Sequence, residues 1–97
     1  MHARIVTVQL QPGKIDEAIR IFRDSIVPAA KQQNGFKGAL LLTDASADKV
    51  ISVTQWETEA DMLASETSGY YQEQVAKVGH IVRSQPTDEH YQVSVQV

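Results

Sequence analysis

Residues 52–66 read SVTQWETEADMLASE, an alternating apolar run that ends on a tryptophan and passes at once into a helix-like pattern. Thr58 followed three residues later by Asp61 has the form of a capping arrangement, so a strand ends near Trp56 and a helix opens just behind it. Trp56 is the only tryptophan in the chain, and a strand needs no indole at its last position. It is a core plug or the wall of a ligand site.

Working outward from this junction, FKGALLLTD and VISVTQWE are two β-branched and aliphatic runs joined by ASADK, a polar connection short enough for a hairpin. Upstream, RIVTVQL forms a first strand stopped by Pro12-Gly13. Ile15, Ala18, Ile19, Phe22 and Ile26 then follow helical spacing, with Asp16 and Glu17 at the positive end of the helix dipole. Pro28 lacks an N–H and would meet the carbonyl of Asp24, which predicts a kink or restart there before Asn34-Gly35 ends the helix. Downstream, the second helix is interrupted at Ser68-Gly69, resumes through Tyr71, Val75, Val78 and Val82, and ends at Gln85-Pro86. HYQVSVQV alternates and reads as the last strand.

The order βαββαβ is that of an α+β, ferredoxin-like split βαβ fold: a four-stranded antiparallel sheet with both helices on one face. Period-two alternation assigns Val6, Val8, Leu10, Leu40, Leu42, Val50, Trp56, Tyr91, Val93 and Val95 to the covered face. The opposite set is Ile5, Thr7, Gln9, Ala39, Leu41, Thr43, Ile51, Val53, Gln55, Gln92, Ser94 and Gln96, aliphatics mixed with Gln and Thr and no charge among them. Depletion of charge at the centre of a patch marks an interface. A homodimer through the uncharged sheet face is therefore expected.

Composition fixes the broad class. The 97 residues are read as a single domain, residues 1–97, and a chain of this size buries only about 60 to 65% of its unfolded surface. A formal net charge of -3, with Lys and Arg scattered, speaks against nucleic acid. The absence of cysteine removes disulfides, thiolate metal sites and thiol nucleophiles. MHARIVTVQLQPGK is too interrupted for a signal segment and no later run could span a bilayer, so the expected location is cytoplasmic, with no membrane partner.

The run QWETEA at 55–60, placed behind the second hairpin strand, and NGFKG at 34–38, closing the first helix, resemble the antibiotic biosynthesis monooxygenase family. The resemblance covers nearly the whole chain. It implies a homodimer whose two sheets face each other as a dimeric α/β barrel, with a pocket between the sheet and the helices of each subunit. Cofactor-free oxygenases of the family carry an asparagine four residues before the tryptophan and a tyrosine six after it; those positions here are Ser52 and Met62. The haem-degrading branch places an asparagine, a tryptophan and an axial histidine where this chain has Val6, Ser65 and Val75. The resemblance implies a cofactor-independent monooxygenase acting on a quinol or aromatic metabolite, or a non-catalytic dimeric protein that binds such an apolar or aromatic molecule.

The candidate pocket residues are Trp56, Ser52, Phe22, Met62, Tyr70, Tyr71 and His80. Adjacent helical residues point about 100° apart, so at most one of Tyr70 and Tyr71 faces fully inward. His80 lies near a helix end, where a cationic ring complements the dipole, and this reading outweighs a general-base role. His2 and His90 are read at the starts of the first and last strands, apart from one another, so no metal site is expected, and no cofactor is called for. Asp88-Glu89 reads as an ordinary solvated pair at a strand end.

Overall fold

The computed structural model describes residues 1–97. Strand β1 spans His2–Gln9, and after the Pro12-Gly13 turn the first helical region runs as α1 (Ile15–Ile21), a π-helical turn (Phe22–Ile26) and α2 (Val27–Ala30). Strands β2 (Phe36–Asp44) and β3 (Lys49–Trp56) form the hairpin, followed by α3 (Glu59–Thr67), α4 (Tyr70–Val78) and β4 (Thr87–Gln92). All strand pairs are antiparallel, in the order β2-β3-β1-β4. This is the ferredoxin-like βαββαβ arrangement that the alternating segments imply.

The punctuation acts as its chemistry requires. Pro28 stands in the first turn of α2, directly behind the π-helical turn, where its missing N–H interrupts no α-helical ladder. Thr58 caps α3, its Oγ1 accepting from the Asp61 N–H at 3.1 Å. Gly69 breaks the second helical region with φ 91°, a conformation open to glycine. Gly35 has φ 79°, and a Cβ there would collide with the Asp61 side chain, so the NGFKG turn is fitted against the start of α3.

Strands β1 and β3 have the expected faces: Val6, Val8, Leu10, Val50 and Trp56 are buried on the helix side. Strand β2 is out of step by one residue. Phe36 opposes Trp56 while Gly38 opposes Gln55, so a bulge between them turns Leu41 to the helices, opposite Ser52, and leaves Leu40 and Leu42 on the open face opposite Val53 and Ile51. Their exposures, 58% and 50%, confirm the shift. In β4 the pairing Ala3↔Tyr91 and Arg4↔His90 places Tyr91 on the open face as well. The last strand also begins three residues before His90 and ends at Gln92, with Val93 adding one backbone bond to Met1. Alternation through Val93 and Val95 is thus not strand pairing. The second helical region ends at Val78, because Gly79 follows, and Val82 instead bridges Leu10 beside β1.

The interior divides into two packed groups. Val6, Val8, Leu10, Ala18, Val50 and Ile81 fill one end, and Ala30, Trp56, Met62 and Tyr70 the other, with Tyr71 against both. No helix is long and apolar enough to cross a membrane.

Candidate functional site

Between the two packed groups lies a cavity of about 90 Å³, floored by the sheet and roofed by α1, the π-helical turn and α4. Strand alternation supplies the floor: Arg4, Val6 and Val8 from β1, Val50, Ser52 and Thr54 from β3, and Leu41 from β2. Helical spacing supplies the roof. Ala18, Phe22 and Ile26 come from the first helical region, and Tyr70, Tyr71, Gln74, Val75 and Val78 from α4, with Pro86 at the rim. A shallower depression of about 370 Å³ shares Val75 and Pro86 with the cavity and continues outward over Gly79 and residues 82–85. The two meet at that rim.

Four of the sequence candidates meet in this cavity: Phe22, Ser52, Tyr70 and Tyr71. Both tyrosines reach it, Tyr70 nearly buried and Tyr71 half-buried, because the cavity is wide enough for two neighbouring directions on α4. Trp56 and Met62 do not line it. Each is fully buried one layer behind, and Trp56 packs edge-on to Phe36 at 5.6 Å and to Tyr70 at 6.5 Å between ring centroids. The indole N–H donates to Thr54 Oγ1 at 3.0 Å, so its one donor is satisfied inside the protein. His80 lies beyond α4 at the surface, 2.6 Å from Glu17, whose carboxyl is held below its usual range by that hydrogen bond.

Sequence reading missed the polar end of the cavity. Arg4 is only 3% exposed and is buried on the helix side of β1. Its Nη1 donates to Ser65 Oγ at 2.9 Å and to Glu66 Oε2 at 3.3 Å, and its Cζ stands 4.7 Å from the Tyr71 centroid and 5.3 Å from that of Trp56. On β4, His90 Nε2 lies 3.0 Å from Glu66 Oε2 and 3.4 Å from Asp88 Oδ1. Burial, reinforced by the Asp88 charge, pushes the Tyr71 hydroxyl up to about 12, so at neutral pH it is a hydrogen-bond donor and not a base. The alternation Arg4, Val6, Val8, Leu10 was the signal that could have placed Arg4 inside.

Glu66, Asp88 and His90 bring three ligating atoms within 4.8 Å of one another and are the group able to hold a cation. The Arg4 guanidinium already occupies the same Glu66 oxygen and opposes a metal there. His90 also differs from the sequence expectation. Arg4↔His90 and His2↔Gln92 are paired, so His2 and His90 are diagonal neighbours on adjacent strands, separated in partner and not in space: His2 pairs with Glu59 at 3.4 Å. The earlier start of β4 accounts for this, and it also draws Asp88 into the cluster beside the cavity.

The family model for antibiotic biosynthesis monooxygenases matches residues 1–77. The chain belongs to this family. Two uncharacterized proteins of Mycobacterium tuberculosis, MT2635 and Rv2558, are each 35% identical to it over 65 residues, 67% of this chain and 28% of theirs. The chain therefore corresponds to less than a third of those relatives. Among solved structures, a protein of unknown function from Nitrosomonas europaea, NE2512, superposes with a TM-score of 0.77 at 19% identity, covering 99% of this chain and 91% of that one. The monooxygenase from the gene ActVA-Orf6 of Streptomyces coelicolor, solved in complex with nanaomycin D, superposes with a TM-score of 0.75 at 16% identity, covering 99% and 89%. These likenesses establish an antibiotic biosynthesis monooxygenase fold, on which the cavity occupies the space between sheet and helices.

Proposed function

We propose that this chain is a cofactor-independent monooxygenase of small reduced aromatics such as quinols, with the interior cavity as its substrate site. The observation that carries the reading is the cavity itself, an apolar space with a polar end formed by Arg4, Ser52, Thr54 and Tyr71, in a member of a monooxygenase family. A monooxygenase of the same fold that holds nanaomycin D supports an organic ligand of this kind. In such a reaction the substrate is the reductant. A hydroquinone and dioxygen give a hydroxyquinone and water: one oxygen atom joins a ring carbon, the other leaves as water, and the ring and its hydroxyls supply the four electrons. The protein's part is to hold the ring away from bulk water and favour its electron-rich, deprotonated form.

The cavity must enlarge to do this. An apolar cavity of roughly 150 Å³ accepts benzene, so about 90 Å³ requires side chains at the Val75–Pro86 rim to part and the substrate to extend toward the outer depression. A second subunit on the open sheet face belongs to the same proposal. Leu40 and Leu42 stand out there opposite Val53 and Ile51, Tyr91 is exposed opposite Ala3, and only 16 of 97 residues are buried, so the chain has apolar surface left to cover.

One observation favours a non-catalytic carrier. Tyr71, the hydroxyl in the cavity with the clearest electrostatic signature, is protonated at neutral pH and cannot abstract the substrate proton. Oxygen uptake with hydroquinones, naphthols and anthrones, without flavin or metal, decides between the two. Stoichiometric oxygen consumption supports the enzyme; saturable binding without consumption leaves the carrier.

A further inference from the structure

Arg4 has more donors than the protein uses. A guanidinium carries five N–H groups in a planar fork, and all the hydrogen bonds of Arg4 leave from Nη1, to Ser65, Glu66 and the Met62 carbonyl. Nε and Nη2 have no protein acceptor. No side-chain nitrogen or oxygen in the chain is both sealed away and unpartnered, so neither atom is closed off from free space, and Arg4 is one of the residues that line the cavity. Trp56 and Tyr71 fix the plane of the group by lying against it.

We propose that Arg4 is the specificity residue of the cavity, its free Nε and Nη2 edge taking an anionic oxygen of an aromatic ligand, a phenolate or enolate, whose ring lies between Leu41 and Val75. The inference rests on the cavity being the ligand site. The charges around Arg4 set the class of anion. Glu66 on α3 and Asp88 on β4 are at the same end, His90 stands between them, and Tyr70 and Tyr71 of α4 offer neutral hydroxyls. With two carboxylates beside Arg4 the end carries no surplus positive charge, so what it can take is at most a single, delocalised negative charge held by the free N–H edge. A phosphate dianion would face both carboxylates. A wholly apolar ligand would seal the free N–H groups without an acceptor, which disfavours it. The anion is also the form that gives an electron to dioxygen most readily.

The test uses 4-nitrophenol, whose phenolate absorbs in the visible, and nitrobenzene as its neutral counterpart. Bound to the wild-type chain, 4-nitrophenol should ionise about one pH unit lower than when free, a roughly tenfold preference for the anion. In the double variant Arg4→Met with Glu66→Gln, which removes both partners of the ion pair together, that shift should vanish while nitrobenzene is still bound. Equal binding of phenol and phenolate to the wild type, with nitrobenzene bound, overturns the role of Arg4 and leaves the cavity as the site. A shift that persists in a folded double variant overturns it equally. If neither compound binds, the cavity is not the ligand site and both readings fail. The wild-type shift needs no variant, so a double variant that does not fold leaves the proposal open to refutation.

Discussion

Replacing Trp56 by alanine removes the most enclosed large side chain of the second packed group. Its exposure is 0%, and its ring makes edge-on contacts with Phe36 and Tyr70, stacks with Arg4 and donates to Thr54. Large-to-small substitutions at such sites cost about 3 to 5 kcal/mol, because the lost transfer energy is joined by that of the cavity left behind. The loss of two aromatic contacts, about 0.5 to 1.5 kcal/mol each, places Trp56→Ala toward the upper part of that range. A chain of this length has about 5 to 15 kcal/mol in all, so the variant should be marginal at 25 °C. Urea unfolding followed by far-ultraviolet circular dichroism is the assay, since the variant has no tryptophan to report. With a slope of about 1.5 kcal/mol per molar urea, a loss of about 4 kcal/mol lowers the midpoint by roughly 2 to 3 M. A drop below about 0.5 M would refute the packing argument. Trp56→Phe should lose about 1 kcal/mol with the Thr54 hydrogen bond, and it should leave the affinity for a neutral aromatic ligand nearly unchanged because the ring stands outside the cavity.

Val53→Arg places a charge between Leu40 and Ile5 on the open face and should convert a micromolar dimer to monomer in sedimentation; a wild-type monomer at that concentration removes the dimer from the account. Tyr71 should resist ionisation in a spectrophotometric titration until near pH 12, and Tyr71→Phe should abolish that last component. Since its folded pKa lies above the unfolded value of 10.0, the neutral ring contributes stability that is complete below pH 10 and is lost as pH rises toward 12; an alkaline limb unchanged in Tyr71→Phe would contradict this. Hemin should not bind saturably in an absorbance titration. Val6 and Val75 line the cavity with side chains that cannot ligate iron, and Ser65 is engaged by Arg4, so a Soret band lost on reduction would overturn the assignment. Gly35→Ala should lower stability by more than the roughly 1 kcal/mol of a neutral backbone change, since φ 79° and the Asp61 side chain both oppose a Cβ; an unchanged unfolding midpoint would show that the turn yields.

The elements of the fold were legible where a chemical stop fixed their ends. Pro12-Gly13 and the Trp56–Thr58 junction bracket β1 and β3, and their faces follow from alternation alone. The bulge between Phe36 and Gly38 was not legible, because an extra residue leaves the run FKGALLLTD looking continuous while it reverses every side chain after it. In β4 the paired residues TDEHYQ are polar and exposed throughout, whereas the apolar alternation lies in the unpaired tail; hydrophobic periodicity cannot find an edge strand that buries little. The cavity wall was half legible for the same reason. Phe22, Ser52, Tyr70 and Tyr71 have the register of inward residues, but the second layer of Trp56 and Met62 is separated from the cavity by Thr54 and Tyr70, a matter of depth that spacing does not encode. Arg4 was passed over because a charged residue at a strand start reads as solvated. Only the partners brought by α3, Ser65 and Glu66, 61 and 62 residues further along the chain, explain its burial, with His90 of β4 holding the same Glu66 oxygen.

The position of a bound aromatic ligand tests the cavity as substrate site most directly. A crystal structure of the chain grown with 1-naphthol is predicted to show the ring between the sheet and α4, with Val75 and Pro86 moved apart and the naphthol oxygen within hydrogen-bonding distance of Arg4 Nε or Nη2. Naphthol bound only on the open sheet face or in the outer depression, with the cavity still at about 90 Å³, would contradict it.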